Sequence, residues 1–166
     1  MLSQLASAPI SADVAADTAR ELFEEGWRTP RRLLESTWQQ RVDALGRGGY
    51  RRYDESTATR LEVFAHQVLD DHGGDLRRPR PASHDDVGQL EKSLQQLPGI
   101  GPTGAAIFCR EVQAVWPEVR PYFDDRAVRA ARELRYSTDP RRLEELAPSG
   151  ETARLSAALV RWSLTG

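Results

Sequence analysis

Gly99, Ile100 and Gly101 are the residues whose types and spacing first suggest chemistry. They stand in the string Leu97-Pro98-Gly99-Ile100-Gly101-Pro102-Thr103-Gly104-Ala105-Ala106. Three consecutive backbone N–H groups just ahead of a helix N-terminus make a cradle for a phosphate, through main-chain donors and the helix dipole. Glycines on either side of Ile100 keep bulky side chains out of the approach. The same residues also fit an ordinary hairpin between two helices with a glycine-rich turn.

The elements that must position this turn are legible on both sides. Leu90, Leu94 and Leu97 recur at three- and four-residue spacing, which predicts a helix over 86–96. Pro98 and Gly99 stop it. Gly101 is expected to take the positive φ of a tight reversal. Pro102 opens a second helix at a position with no N–H to lose. That helix is expected over 102–115, with Ile107, Phe108, Val112 and Val115 in the core and Gly104-Ala105-Ala106 allowing close packing.

Composition bounds the rest. A length of 166 residues suits one compact domain or two small lobes sharing a cleft. Hydrophobic content of 39% suits a soluble globular chain, and no apolar run reaches membrane-spanning length. The opening Met1-Leu2-Ser3-Gln4-Leu5 lacks the basic start and apolar core of a signal peptide, so a cytoplasmic location is expected. One cysteine, Cys109, excludes an internal disulfide and a four-cysteine iron–sulfur cluster. His66 and His72 are not spaced with other ligand types as a metal site requires.

A formal net charge of −2 is not a nucleic-acid signature in sum. Distribution matters more. Arginines cluster at Arg28/Arg31/Arg32, Arg47/Arg51/Arg52, Arg77/Arg78/Arg80 and Arg126/Arg129/Arg132/Arg135. Any one cluster reads as a solvated helix face with ion pairs. Several flanking the hairpin would make a polyanion-binding face. Lys92 is the one lysine among 23 basic residues. Arginine grips phosphate bidentately but keeps its proton, so it cannot form a Schiff base.

Taken in order, the chain reads as all-α, with nine or ten helices and no strand. Met1–Ala8 reads as the end of a helix. Ser11, Thr29 before Pro30, Thr37, Asp139 before Pro140, and Ser149 read as helix caps. Phe23 joins the apolar stripe of the helix after Ser11, and Trp162 that of the last helix. Trp27 and Trp38 read as core. Residues 46–53 read as a loop with three arginines and two tyrosines. Asp124 or Asp125 starts a helix that runs through Leu134, by capping and by the helix dipole.

The hairpin string resembles that of the helix-hairpin-helix base-excision DNA-repair superfamily, the endonuclease III and adenine glycosylase group, whose pattern is L-P-G-V-G-x-x-T/S-A. Leu2-Ser3-Gln4-Leu5-Ala6 is similar to that group's L-S-x-Q-x, and Gly48-Gly49-Tyr50-Arg51 to its G-x-Y-x loop. The resemblance covers most of the chain and implies a relative shortened at its N-terminus. It implies a helical-barrel lobe carrying the hairpin (residues 1–122, hairpin about 86–115) and C-terminal helices (123–166) completing a cleft. It also implies double-stranded DNA as partner, with Gly99, Ile100, Gly101, Thr103, Tyr50, Arg51, Gln4 and Leu5 at the DNA. Tyr50 would be a stacking aromatic on a DNA-facing loop.

The group's essential Asp follows the hairpin, and the register picks Asp124, with Asp125 as the alternative. Such a carboxylate stabilises the sugar cation as the N-glycosidic bond breaks and can activate water. Bifunctional members carry a lysine in the hairpin, and Thr103 stands at or beside its place. Monofunctional hydrolysis of a flipped base is therefore expected, without lysine-type lyase chemistry. No iron–sulfur cluster is expected. The resemblance allows a monovalent cation at the hairpin, and a monomer at the nucleoid is expected. The alternatives are a non-catalytic DNA-binding relative and a protein whose hairpin is only structural.

Overall fold

Five short polar side chains start helices by accepting a backbone N–H from the first turn, as their types predict. Ser11 caps α2 (Ala12–Glu24), Thr29 caps α3 (Pro30–Leu34) and Thr37 caps α4 (Trp38–Arg47). Asp124 caps α8 (Asp125–Glu133) and Asp139 caps α9 (Pro140–Glu144). Thr37 and Gln40 complete a reciprocal capping box. The remaining helices are α1 (Leu2–Leu5), α5 (Asp54–His72), α6 (Val87–Leu94), α7 (Pro102–Val112) and α10 (Thr152–Thr165). Two 3₁₀ turns, His84–Asp86 and Pro117–Val119, precede α6 and α8. This computed structural model describes residues 1–78, 80–81 and 84–165, and among them the regular structure is all helical.

The chain forms two compact units. The first is Met1–Pro79 with Lys92–Ala105, and the second is Arg80–Glu91 with Ala106–Gly166. In the first unit α3 and α4 pack on α5, α2 on α4, and α1 on α2. Leu5, Leu22, Leu45 and Leu61 are fully buried there, among Ala15, Ala44, Ala58 and Ala65. Each such leucine stabilises the fold by about 1.5–3 kcal/mol. Gly48 is required because Thr18 occupies the place of its missing Cβ, and the Thr18 hydroxyl donates to Gly48 O at 3.0 Å. Arg41 is buried, donates to Ser36 O at 2.8 Å, and pairs with Glu62 of α5.

In the second unit α8 packs on α10. Ala127, Ala130 and Ala131 meet Leu159 and Val160, with Phe123 and Leu143 closing the cluster. Small residues on one helix let the backbones approach, as close-packed interiors require.

Several expectations fail for local reasons. Trp38 is exposed, and its indole N–H donates to Thr59 Oγ1 at 3.0 Å, because it stands at the first position of α4, just after the cap. Phe23 and Trp162 are exposed as well. Val115 is 69% exposed, since α7 ends at Val112 and the helical register stops there. The buried face of α7 is instead Gly104, Ala105 and Cys109, continued by Gln113 just past its end. Ser149 makes no capping hydrogen bond among the described residues. It lies in a turn closed by Glu151 N–H to Pro148 O at 2.9 Å, with Gly150 at φ +80°, and α10 starts at Thr152. Residues 46–53 are not one open loop: α4 runs to Arg47, Gly49 takes φ +88°, and Tyr50 N–H returns to Leu45 O at 2.9 Å.

Candidate functional site

The turn of the hairpin, residues 97–105, lies in the first unit. It closes through Ile100 N–H to Leu97 O at 3.1 Å, and α7 begins with Ala105 N–H to Gly101 O at 3.0 Å. The positive φ is at Gly99, +78°, and not at Gly101 as the sequence suggests. The reversal comes at the residue directly after Pro98, where the chain leaves the preceding turn. A Cβ on Gly99 would also collide with the Arg60 stem of α5 and the Gln4 amide, so glycine is demanded twice. Gly101 has open space around it.

Main-chain donors are therefore divided. Ile100 does not offer its N–H, which the turn consumes, and its side chain is buried. The N–H groups of Gly101 and Thr103 make no hydrogen bond among the described residues, and both residues are exposed. Gln4 Nε2 donates to Pro98 O at 2.9 Å and fixes the turn from behind. Gln4 Oε1 is buried and receives no hydrogen bond among the described residues. A cavity of about 550 Å³ is lined by the hairpin together with Gln4, Ser7 and Arg60.

The other predicted surface residues of this unit mostly lie inside. Leu5 is fully buried in the core. Tyr50 is 2% exposed, its hydroxyl donates to Leu5 O at 3.0 Å, and its ring meets Tyr53 edge-on at 6.2 Å. Burial raises the Tyr50 phenol above its ordinary pKa. Tyr50 is thus a core residue and not a stacking aromatic on an open loop, because the Gly49 turn sends it inward. Gln4 is almost fully buried too, acting on the hairpin from below. Arg51 is exposed, beside a second cavity lined by Val42, Asp43, Arg47 and Asp54.

In the second unit Asp124 and Asp125 are not equivalent. Asp124 Oδ1 accepts Ala127 N–H at 2.8 Å, and Oδ2 accepts from Arg110 Nη1 at 2.8 Å. The two side chains are 10% and 13% exposed. Asp125 is exposed in the first turn of α8 and makes no ion pair among the described residues.

The approach to Asp124 is held by residues the sequence reading passed over. Gln113, the residue after α7, donates to Tyr122 O at 2.8 Å and accepts Tyr122 N–H at 3.0 Å. The Tyr122 hydroxyl donates to Glu91 Oε1 at 2.5 Å. Burial and the Glu91 carboxylate hold the Tyr122 phenol above its ordinary range. Burial, with Glu91 nearby, pushes the Cys109 thiol up to about 12. The one available signal was Gln113, a lone amide at helical spacing from Cys109 on a face that is otherwise small and apolar.

Four of the clustered arginines are neutralised locally: Arg32 by Glu35, Arg47 by Glu21 and Glu25, Arg77 by Asp75, and Arg80 by Glu118. Arg126, Arg129, Arg132 and Arg135 are exposed and make no ion pair among the described residues. No helix among the described residues is long and apolar enough to cross a membrane.

No family model and no curated protein matches the sequence. Among solved structures, the chain is similar to a trapped endonuclease III–DNA covalent intermediate in an estranged-adenine complex. The TM-score is 0.56 at 18% identity, covering 96% of this chain and 70% of that one. At such identity the likeness is one of architecture: the chain has the all-helical fold of endonuclease III.

Proposed function

We propose that this chain is a monofunctional base-excision DNA glycosylase. It would hydrolyse the N-glycosidic bond of a damaged or mismatched base flipped out of duplex DNA. One observation carries the reading: on an endonuclease III-like fold, the Gly101 and Thr103 N–H groups have no acceptor among the described residues, at an exposed helix start. Such donors, with the positive end of α7 behind them, suit a backbone phosphate. The similar solved chain is itself described in complex with DNA.

In this reading Asp124 is the carboxylate that faces the sugar. As the C1′–N bond breaks, positive charge develops on the sugar and the fixed negative charge stabilises it. Water then bonds to C1′, its proton passes to the carboxylate, and the base departs with a proton from solvent. The cap and Arg110 hold Asp124 in one rotamer, so little reorganisation is needed during the reaction. A lyase step through a lysine is not part of the proposal. Lys92 is on α6, and Thr103 stands at or beside the place of the hairpin lysine. An iron–sulfur cluster does not fit these residues, because the single thiol, Cys109, is buried in α7 and four thiolates are needed. We take the working form as a monomer on double-stranded DNA in the cytoplasm.

One observation favours a second reading, a DNA-binding relative without chemistry: both Asp124 oxygens already accept hydrogen bonds. Base release from lesion-bearing duplexes separates the two. The glycosylase reading expects release by wild type, slowed on the order of 10²–10³-fold in Asp124→Asn. Salt-dependent duplex binding with no release from any duplex bound would leave the second reading.

A further inference from the structure

Arg60 lies on α5, remote in sequence from the hairpin, yet its stem crosses Gly99 where a Cβ would stand. It lines the hairpin cavity with Gln4 and Ser7, and it is exposed. Two arginines of the first unit that reach another helix are spent on carboxylates: Arg41 on Glu62, and Arg47 on Glu21 and Glu25. Arg60 makes no ion pair or hydrogen bond among the described residues, although Glu62 is two positions along α5. Its charge is thus left free beside unpaired main-chain donors.

Holding an arginine there has a structural consequence. The Arg60 stem and the Gln4 amide fill the space over Gly99, so the hairpin accepts no side chain at that position. A long aliphatic stem laid on backbone loses much of its rotamer freedom in advance. An arginine so restrained gives up less entropy when it engages a ligand. A guanidinium matches phosphate with two parallel N–H bonds.

We infer that Arg60 is a phosphate-binding residue, and that it and the Gly101–Thr103 main chain together grip the DNA backbone as a two-part clamp. The inference rests on the duplex-binding part of the function proposed above. Arg60 supplies a full positive charge, and the main chain supplies directional donors and the helix dipole. The hairpin thus takes part of its affinity from a side chain outside its own motif.

The test is the salt dependence of binding to an undamaged duplex, followed by fluorescence anisotropy for wild type, Arg60→Gln and Arg60→Lys in the full chain. Releasing one phosphate contact lowers the slope of log K against log salt by about 0.9 in magnitude. Arg60→Gln is expected to show that drop, with affinity roughly three- to tenfold weaker at low salt. Arg60→Lys keeps the charge and is expected to keep the slope. Circular dichroism melts set apart a folding effect, which would weaken binding without restoring the slope in Arg60→Lys. If wild type binds with a steep slope and Arg60→Gln matches it, the inference is overturned and the duplex-binding reading stands. If wild type shows no salt-dependent binding, both fall.

Discussion

Arg110 Nη1 stands 2.8 Å from Asp124 Oδ2, while the other Asp124 oxygen holds the N-terminus of α8 through Ala127 N–H. One carboxylate thus joins α7 to α8 and caps a helix. Asp124→Asn keeps a capping oxygen but loses the ion pair. Hydrogen bonds to charged groups contribute about 1.5–3 kcal/mol, so the variant is expected to be about 1–3 kcal/mol less stable in urea melts. Arg110→Ala is expected to be at least as damaging, because it leaves a mostly buried charge unpaired. Asp125→Asn should stay within about 0.5 kcal/mol of wild type.

The two hairpin glycines should separate stability from binding. Gly99→Ala places a Cβ against Arg60 and Gln4 at a left-handed φ. A loss of more than about 1–2 kcal/mol is expected from the backbone alone. Gly101→Val faces open space and should melt near wild type. It should nevertheless weaken duplex binding, since its side chain blocks the approach to the adjacent N–H groups. Normal duplex affinity in folded Gly101→Val would count against the main-chain grip.

Tyr50→Phe removes the hydroxyl that donates to Leu5 O. A loss of about 0.5–1.5 kcal/mol is expected, with duplex affinity unchanged at temperatures where both proteins are folded. A selective fall in DNA affinity would return Tyr50 to the interface.

Cys109 should be silent as a nucleophile. Burial holds its proton up to about 12, so native protein is expected to react with a thiol reagent at pH 8 only as fast as it unfolds. The folded pKa lies above the unfolded value. Between about pH 9 and 12 the unfolded chain therefore releases a proton that the folded chain keeps. The thiol's contribution is full below that window and is lost as pH rises through it. Rapid labelling of folded protein at pH 8 would contradict the burial.

Local chemistry made much of the fold legible. Ser11, Thr29, Thr37, Asp124 and Asp139 cap helices as their types predict, and Pro30, Pro102 and Pro140 stand at first positions. What failed depends on contacts distant in sequence. Tyr50 looks like a loop aromatic until the Gly49 turn delivers it to Leu5, 45 residues away. Gln4 looks like a surface residue until it meets Pro98, 94 residues away. Glycine type alone could not assign the positive φ to Gly99 over Gly101, because that depends on which carbonyl closes the turn. Arg60 and Arg110 lie outside any motif, so only the packing of α5 and α7 makes them visible.

The most direct measurement is base release from a panel of duplexes carrying oxidised, deaminated, alkylated or mismatched bases. Wild type, Asp124→Asn and Asp125→Asn are compared, with binding to each duplex measured in parallel. Release by wild type and Asp125→Asn from at least one duplex is predicted, slowed on the order of 10²–10³-fold in Asp124→Asn with binding retained. Release as fast in Asp124→Asn as in wild type, or no release from any duplex the protein binds, would contradict the account.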